Sequence, residues 1–236
     1  MRKNILITGL PRSGKSTLLN RIIAEQKNKT GFVTNEIREL GERIGFEVKT
    51  SNGKEAVIAK TDFDTRYKIS RYYVEPKNLD VLIPEVAQFP QDNLLYLDEI
   101  GEMQLLSQEF RKLCLSYLDS KNTVIATISQ VYENDFTKKI KERKDVMIIQ
   151  LHDYSRERNE IFIPEFLKKI EKAKRYSSEL ERFSQEGKDI FLKSEHGTRR
   201  IKDERGKLIC NCHFFGENSI CSHDLATEEY LRISSA

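Results

Sequence analysis

Gly9-Leu10-Pro11-Arg12-Ser13-Gly14-Lys15-Ser16 fits the spacing G-x-x-x-x-G-K-[ST] without a mismatch. Just before it, Asn4-Ile5-Leu6-Ile7-Thr8 is a short, β-branched apolar run whose length predicts a buried strand. From Ser16 onward, Leu18, Leu19, Ile22 and Ile23 recur at helical spacing. Strand, glycine-bounded loop and helix in that order make an anion cradle. The glycines let successive N–H groups turn toward one point, and the helix N-terminus adds its dipole. The candidate nucleotide-binding residues are Gly9, Pro11, Arg12, Ser13, Gly14, Lys15, Ser16 and Thr17. Lys15 is expected to contact the β- and γ-phosphates, and the Ser16 hydroxyl to ligate Mg²⁺. Arg12 adds charge beside the phosphates or points outward.

A phosphate loop of this kind needs a carboxylate at the end of a neighbouring strand. Leu94-Leu95-Tyr96-Leu97-Asp98-Glu99 supplies two, after four apolar residues. Asp98 is placed as the metal-side acid and Glu99 as the catalytic group that polarises an attacking water, an effect worth roughly 10²–10⁴-fold. The alternative is an acidic pair capping the following helix. Further strands are expected at Thr30–Thr34, Val124–Ile128 and Val146–Leu151, and helices at Leu105–Leu118 and Phe136–Arg143. Thr127 or Ser129 would sense the γ-phosphate or simply cap a strand end. Asn52-Gly53, between alternating segments, predicts a hairpin. Alternating strands and helices give an α/β, three-layer P-loop architecture with a largely parallel sheet.

Composition narrows the partners. The 236 residues are 38% hydrophobic and 33% charged, with no Trp and a net charge of only +3. That balance excludes a chain that coats nucleic acid by charge alone. No apolar run approaches the ~18 residues of a membrane span. Met1-Arg2-Lys3 ahead of Ile5–Ile7 has the charge of a secretory leader, but Gly9 and Pro11 to Lys15 end the run early. The chain is expected to be intracellular and cytoplasmic, with its four Cys unlinked. Pro164 marks a change of character: 1–165 reads as the P-loop domain, 166–185 as a charged helical linker, and 186–236 as a small β/α domain.

Two resemblances follow. Gly31-Phe32-Val33-Thr34-Asn35-Glu36-Ile37-Arg38-Glu39, with Gly41, Arg43 and Gly45-Phe46, resembles the second signature of the nucleoside-triphosphatases first known from thermophiles. Asp98-Glu99-Ile100-Gly101, followed by Met103, Leu105, Ser107 and Phe110, resembles that family's Walker B segment. The resemblance covers roughly 3–165. It implies a RecA-like core and slow Mg²⁺-dependent hydrolysis of ATP, GTP and other NTPs to NDP and phosphate. It also marks Glu36, Arg38 and Arg43 as second-tier site residues, ordinary surface ion pairs being the alternative. The chain departs from the family at Glu102 and Gln104, where Lys and Glu are usual, at Ser70 in place of a Gly, and in the reversed order of Arg158-Asn159. The last departure leaves open whether Arg156 or Arg158 supplies a positive charge.

Cys210-Asn211-Cys212 and, eight residues on, Cys221-Ser222-His223 give C-x-C-x₈-C-x-H. Three thiolates and one imidazole suit closed, tetrahedral structural zinc. Phe214 and Phe215 lie between the pairs and would cover the metal. His213 is the poorer fourth ligand, and three buried or reactive thiols are the alternative. The spacing resembles the SWIM zinc finger, which implies a DNA, RNA or protein partner. Lys168, Lys169, Lys172, Lys174 and Arg175 would meet phosphates or form a solvated helix face. Two rival functions remain at this level: a nucleic-acid-binding adaptor using nucleotide as a switch, and a small-molecule or nucleotide kinase.

Overall fold

Strands β1 (Asn4–Gly9) and β8 (Val124–Ser129) are buried at every position, which marks them as the centre of a sheet covered on both faces. The computed structural model describes residues 1–152 and 155–234, with Arg156 given by its backbone alone. These residues form two compact units, Lys3–Glu160 and Met1–Arg2 with Ile161–Ala236.

In the first unit, β1 leads through the glycine-bounded loop into α1 (Lys15–Ala24) and then β2 (Lys29–Glu39). An antiparallel excursion follows: β3 (Glu42–Thr50), β4 (Glu55–Lys60), β5 (Tyr67–Ile69) and β6 (Tyr72–Val74). After α2 (Pro76–Asp80) and α3 (Ile83–Ala87) come β7 (Leu94–Ile100), α4 (Gln108–Asp119), β8, α5 (Asp135–Lys141) and β9 (Val146–Gln150). The sheet runs β5-β6-β4-β3-β2-β7-β8-β1-β9, parallel from β2 to β9 and antiparallel from β2 outward. β8 therefore separates the loop-bearing β1 from β7, which ends in the two acids.

Two hairpins build the excursion. The one at Asn52-Gly53 forms as expected, Gly53 taking φ +85°. The other, Leu40-Gly41 between β2 and β3, has φ +48° and +85°, the signs of a type I′ turn. Gly31 is where β2 meets β7: a Cβ there would lie 1.8 Å from the Tyr96 carbonyl oxygen. β2 pairs with β7 only from Lys29 to Phe32, and its remainder overhangs the end of β7 alongside β3.

The second unit opens with α6 (Arg156–Ser178), whose residues up to Glu160 belong to the first. Pro164 lies inside this helix rather than before it. Having no N–H, it cannot donate to the carbonyl four residues earlier in the helix, and the two units divide near that point, between Glu160 and Ile161. Phe166, Ile170, Ala173 and Tyr176 are fully buried along one stripe. The segment expected as a linker thus carries a core face. An antiparallel meander of β10 (Phe183–Glu186), β11 (Asp189–Ser194), β12 (Gly197–Glu204) and β13 (Lys207–Cys210) follows, closed by α7 (His213–Asn218) and α8 (Ser222–Ser234). Among the described residues, no helix is long and apolar enough to cross a membrane.

Candidate active site and candidate metal centre

The loop after β1 and the acids of β7 face one open cleft of about 640 Å³. Gly9, Pro11, Arg12, Gly14, Lys15, Ser16 and Thr17 line it, as do Asp98 and Glu99. Ser13 does not. Its buried hydroxyl lies 2.7 Å from where a Cβ on Gly9 would stand, so the tight loop requires glycine there. Arg12 takes φ +67° and Gly14 φ +88°, the left-handed turns that aim the loop's amides inward. Lys15 is 8% exposed and donates from Nζ to the carbonyls of Gly9 (3.1 Å) and Leu10 (3.0 Å), curling over the cradle.

Two consecutive residues of a regular strand point to opposite faces. Asp98 and Glu99 both reach the cleft because β7 carries a bulge between them and its partner. Pairing to β8 steps from Leu97↔Ala126 to Ile100↔Ile128, three residues on β7 against two on β8. Asp98 is 1% exposed. Its Oδ1 accepts from Ser16 Oγ at 3.0 Å and from Thr127 Oγ1. Burial raises the Asp98 pKa, opposed by the Thr127 and Ser16 hydrogen bonds and by Lys15. Burial also raises that of Glu99, which Lys15 lowers and Asp98 raises. Glu99 has no hydrogen-bond partner among the described residues.

Thr127 is thus tied to Asp98, and Ser129 lines the cleft. Thr34 was not singled out by sequence: its hydroxyl donates to the Asp98 carbonyl and accepts from Gln104 Nε2 at 3.2 Å. Gln104, a departure from the family pattern, is 5% exposed and braces the acid strand. Ser70, another departure, takes φ +54° in the β5–β6 turn, a conformation that suits the glycine usual there. On the β2–β3 wall, Glu36, Arg43 and Phe46 line the cleft, whereas Arg38 does not. Arg158 is exposed on α6 and does not line the cleft, and the side chain of Arg156 lies outside the described residues.

In the second unit, one ligand atom each from Cys210, Cys212, Cys221 and His223 falls within 4.8 Å of all the others. His223 Nδ1 lies 3.7 Å from Cys210 Sγ and 3.6 Å from Cys221 Sγ. A tetrahedral centre with metal–sulfur bonds of about 2.3 Å and metal–nitrogen bonds of about 2.0–2.1 Å has sulfur–nitrogen edges of about 3.6 Å. The donor set and spacing therefore fit zinc. Cys210 ends β13, Cys212 caps α7, and Cys221 caps α8. Asp224 N–H donates to Cys221 Sγ (3.5 Å) while the Asp224 carboxylate accepts from Cys221 N–H, a reciprocal cap. Hydrogen bonding among the crowded sulfurs raises Cys210 to about 11 and lowers Cys212. Tyr176 stacks on the His223 ring at 6.0 Å, and Phe215 is buried. His213 stays outside, exposed and 3.5 Å from Glu217. Cys114 is fully buried on α4.

A P-loop facing the acids of a strand one removed, on the parallel central strands of the sheet, defines a P-loop NTPase fold. A family model described as NTPase matches residues 4–163. The nucleoside-triphosphatase THEP1 of Thermotoga sp. (strain RQ2) is 40% identical over 154 residues, 64% of this chain and 88% of that one. The crystal structure of THEP1 from Aquifex aeolicus superposes with a TM-score of 0.63 at 29% identity, over 70% of this chain and 99% of that one. The solution structure of a human cancer-related nucleoside triphosphatase shares the fold, with a TM-score of 0.60 at 24% identity over 70% and 96% of the two chains. The chain belongs to the THEP1-type nucleoside-triphosphatase family.

Proposed function

We propose that this chain is a Mg²⁺-dependent nucleoside-triphosphate hydrolase, releasing NDP and phosphate, whose C-terminal unit is held by a structural zinc ion. The observation that carries the hydrolytic reading is Glu99: a half-buried carboxylate beside the P-loop that lines the cleft without a hydrogen-bond partner among the described residues, next to Asp98, whose Oδ1 accepts two hydrogen bonds. Ser16 and Asp98, hard oxygen donors 3.0 Å apart, would hold the Mg²⁺ and its water shell. When bound, the metal neutralises charge on the β- and γ-phosphate oxygens. Lys15 swings from the loop carbonyls to the β- and γ-phosphates, and the loop amides cradle them. Glu99 accepts a proton from the water as its oxygen bonds to the γ-phosphorus, while the bond to the bridging oxygen breaks and the NDP keeps the electron pair. A kinase needs no acid that activates water, so the Asp98-Glu99 pair favours hydrolysis over transfer.

The same reading assigns Cys210, Cys212, Cys221 and His223 to zinc, which would cross-link β13 to the starts of α7 and α8. Phosphate release measured with NTP and Mg²⁺ alone tests the enzyme. Glu99→Gln should keep nucleotide affinity and lose roughly 10²–10⁴-fold in kcat. Unchanged kcat removes Glu99 from its role. NDP formation without phosphate release, seen only with added nucleoside, points to the kinase, and phosphate release seen only with added DNA or RNA points to the adaptor.

A further inference from the structure

Beyond Asp98 the cleft has a second wall. β2 leaves β7 after Phe32, so Thr34 and Glu36, two residues apart and on one face, project past the acid end of β7. Arg43, from β3, lines the cleft beside Glu36. It is held rather than loose. Its Nε donates to Tyr72 Oη at 2.8 Å, its Nη1 to Glu36, and its guanidinium lies 5.0 Å from the centre of the Phe46 ring. Arg71 braces the same group by donating to the Arg43 carbonyl and to Tyr72 Oη.

The order across the cleft is then P-loop, Ser16 with Asp98, Glu99, and the Glu36–Arg43 wall. Arg12 and Lys15 belong to the loop itself, and Arg43 is the cation that faces them from the other side among the described lining residues.

From this placement we propose that Arg43 is the residue that meets the charge developing on the γ-phosphoryl oxygens, an arginine supplied by the chain's own β2–β3 hairpin. Glu36 and Tyr72 position it between turnovers. The assignment deepens the hydrolase reading and rests on it. An arginine in this role acts on the transition state more than on ground-state binding.

The test compares the full-length wild type with Arg43→Ala and Arg43→Lys. Phosphate release, affinity for a non-hydrolysable ATP analogue, and affinity for ADP with aluminium fluoride are measured on each. Arg43→Ala should lose at least ~100-fold in kcat and in fluoroaluminate-complex affinity. Analogue affinity should stay within a few-fold, and the lysine variant should recover part of the rate. Equal losses of kcat and analogue affinity, or a normal kcat in Arg43→Ala beside a working wild type, would overturn the Arg43 assignment alone. A wild type that binds NTP and Mg²⁺ but releases no phosphate overturns the hydrolase reading, and this assignment with it.

Discussion

Both units of the molecule gather groups suited to a cation, but they support them in opposite ways. In Lys3–Glu160, Ser16 and Asp98 sit at the ends of elements whose cores are already closed: Leu6, Phe32, Leu95, Leu97, Ala126 and Ile128 are all fully buried. In Ile161–Ala236 the candidate ligands are themselves the closure. Cys210, Cys212 and Cys221 end or begin every element after the β-meander. The first site is a product of its fold, and the second is a part of its fold. At this size a hydrophobic core supplies only about 3–5 kcal/mol, so a metal staple at these chain ends would contribute a large share of the stability.

Removing the metal should break this symmetry most visibly. Metal analysis of untagged protein is expected to give about one zinc per chain. Zinc in finger peptides contributes apparent binding energies of about 10–16 kcal/mol. Chelation, or Cys221→Ser, should strip amide-exchange protection from β13, α7 and α8 while β1, β7 and β8 keep theirs. Retained protection in the C-terminal unit after complete chelation would show that its core, not the metal, holds it.

The converse experiment attacks the first unit through packing. Gly31→Ala forces a Cβ into the Tyr96 carbonyl at a φ of +155° and should cost about 3 kcal/mol in denaturant unfolding. Zinc content should be unchanged. Wild-type stability in this variant would mean that β2 and β7 yield more readily than their register implies.

The smallest effect is a matter of protons. Burial raises the Glu99 pKa in the free protein, so the acid limb of kcat/KM should lie above the ~4.3 of an ordinary glutamate. Below that limb Glu99 is protonated and cannot accept a proton. The fold favours the neutral form, so stability declines as pH rises through the same range. Glu99→Gln has no charge to bury. It should show a slightly higher Tm at neutral pH and none of that decline. An acid limb at the ordinary position, or a lower Tm for the variant, contradicts the burial described.

Much of this was legible in the sequence, for reasons specific to each segment. Gly9 to Ser16 and Cys210 to His223 are local spacings whose chemistry tolerates little variation, so each pattern carries its geometry with it. Asn52-Gly53 is the same kind of signal. Thr34 could not be read this way. Its partner, the Asp98 carbonyl, is 64 residues distant and carries no side-chain identity. The Leu40-Gly41 hairpin was hidden because Leu at a positive φ is uncommon. Pro164 misled in a different manner: proline usually ends a helix, but here buried Phe166, Ile170 and Ala173 on one stripe carry α6 past it.

The bulge in β7 makes the pair of acids depend on counting as well as on chemistry. With one residue fewer between Leu97 and Ile100, the strand would return to a regular pleat and send neighbouring side chains to opposite faces. Asp98 and Glu99 would then be unable to share a cleft, whatever residues occupied those positions. A one-residue deletion there should be more damaging than conservative substitution at either acid, because it removes the arrangement and leaves the composition nearly intact.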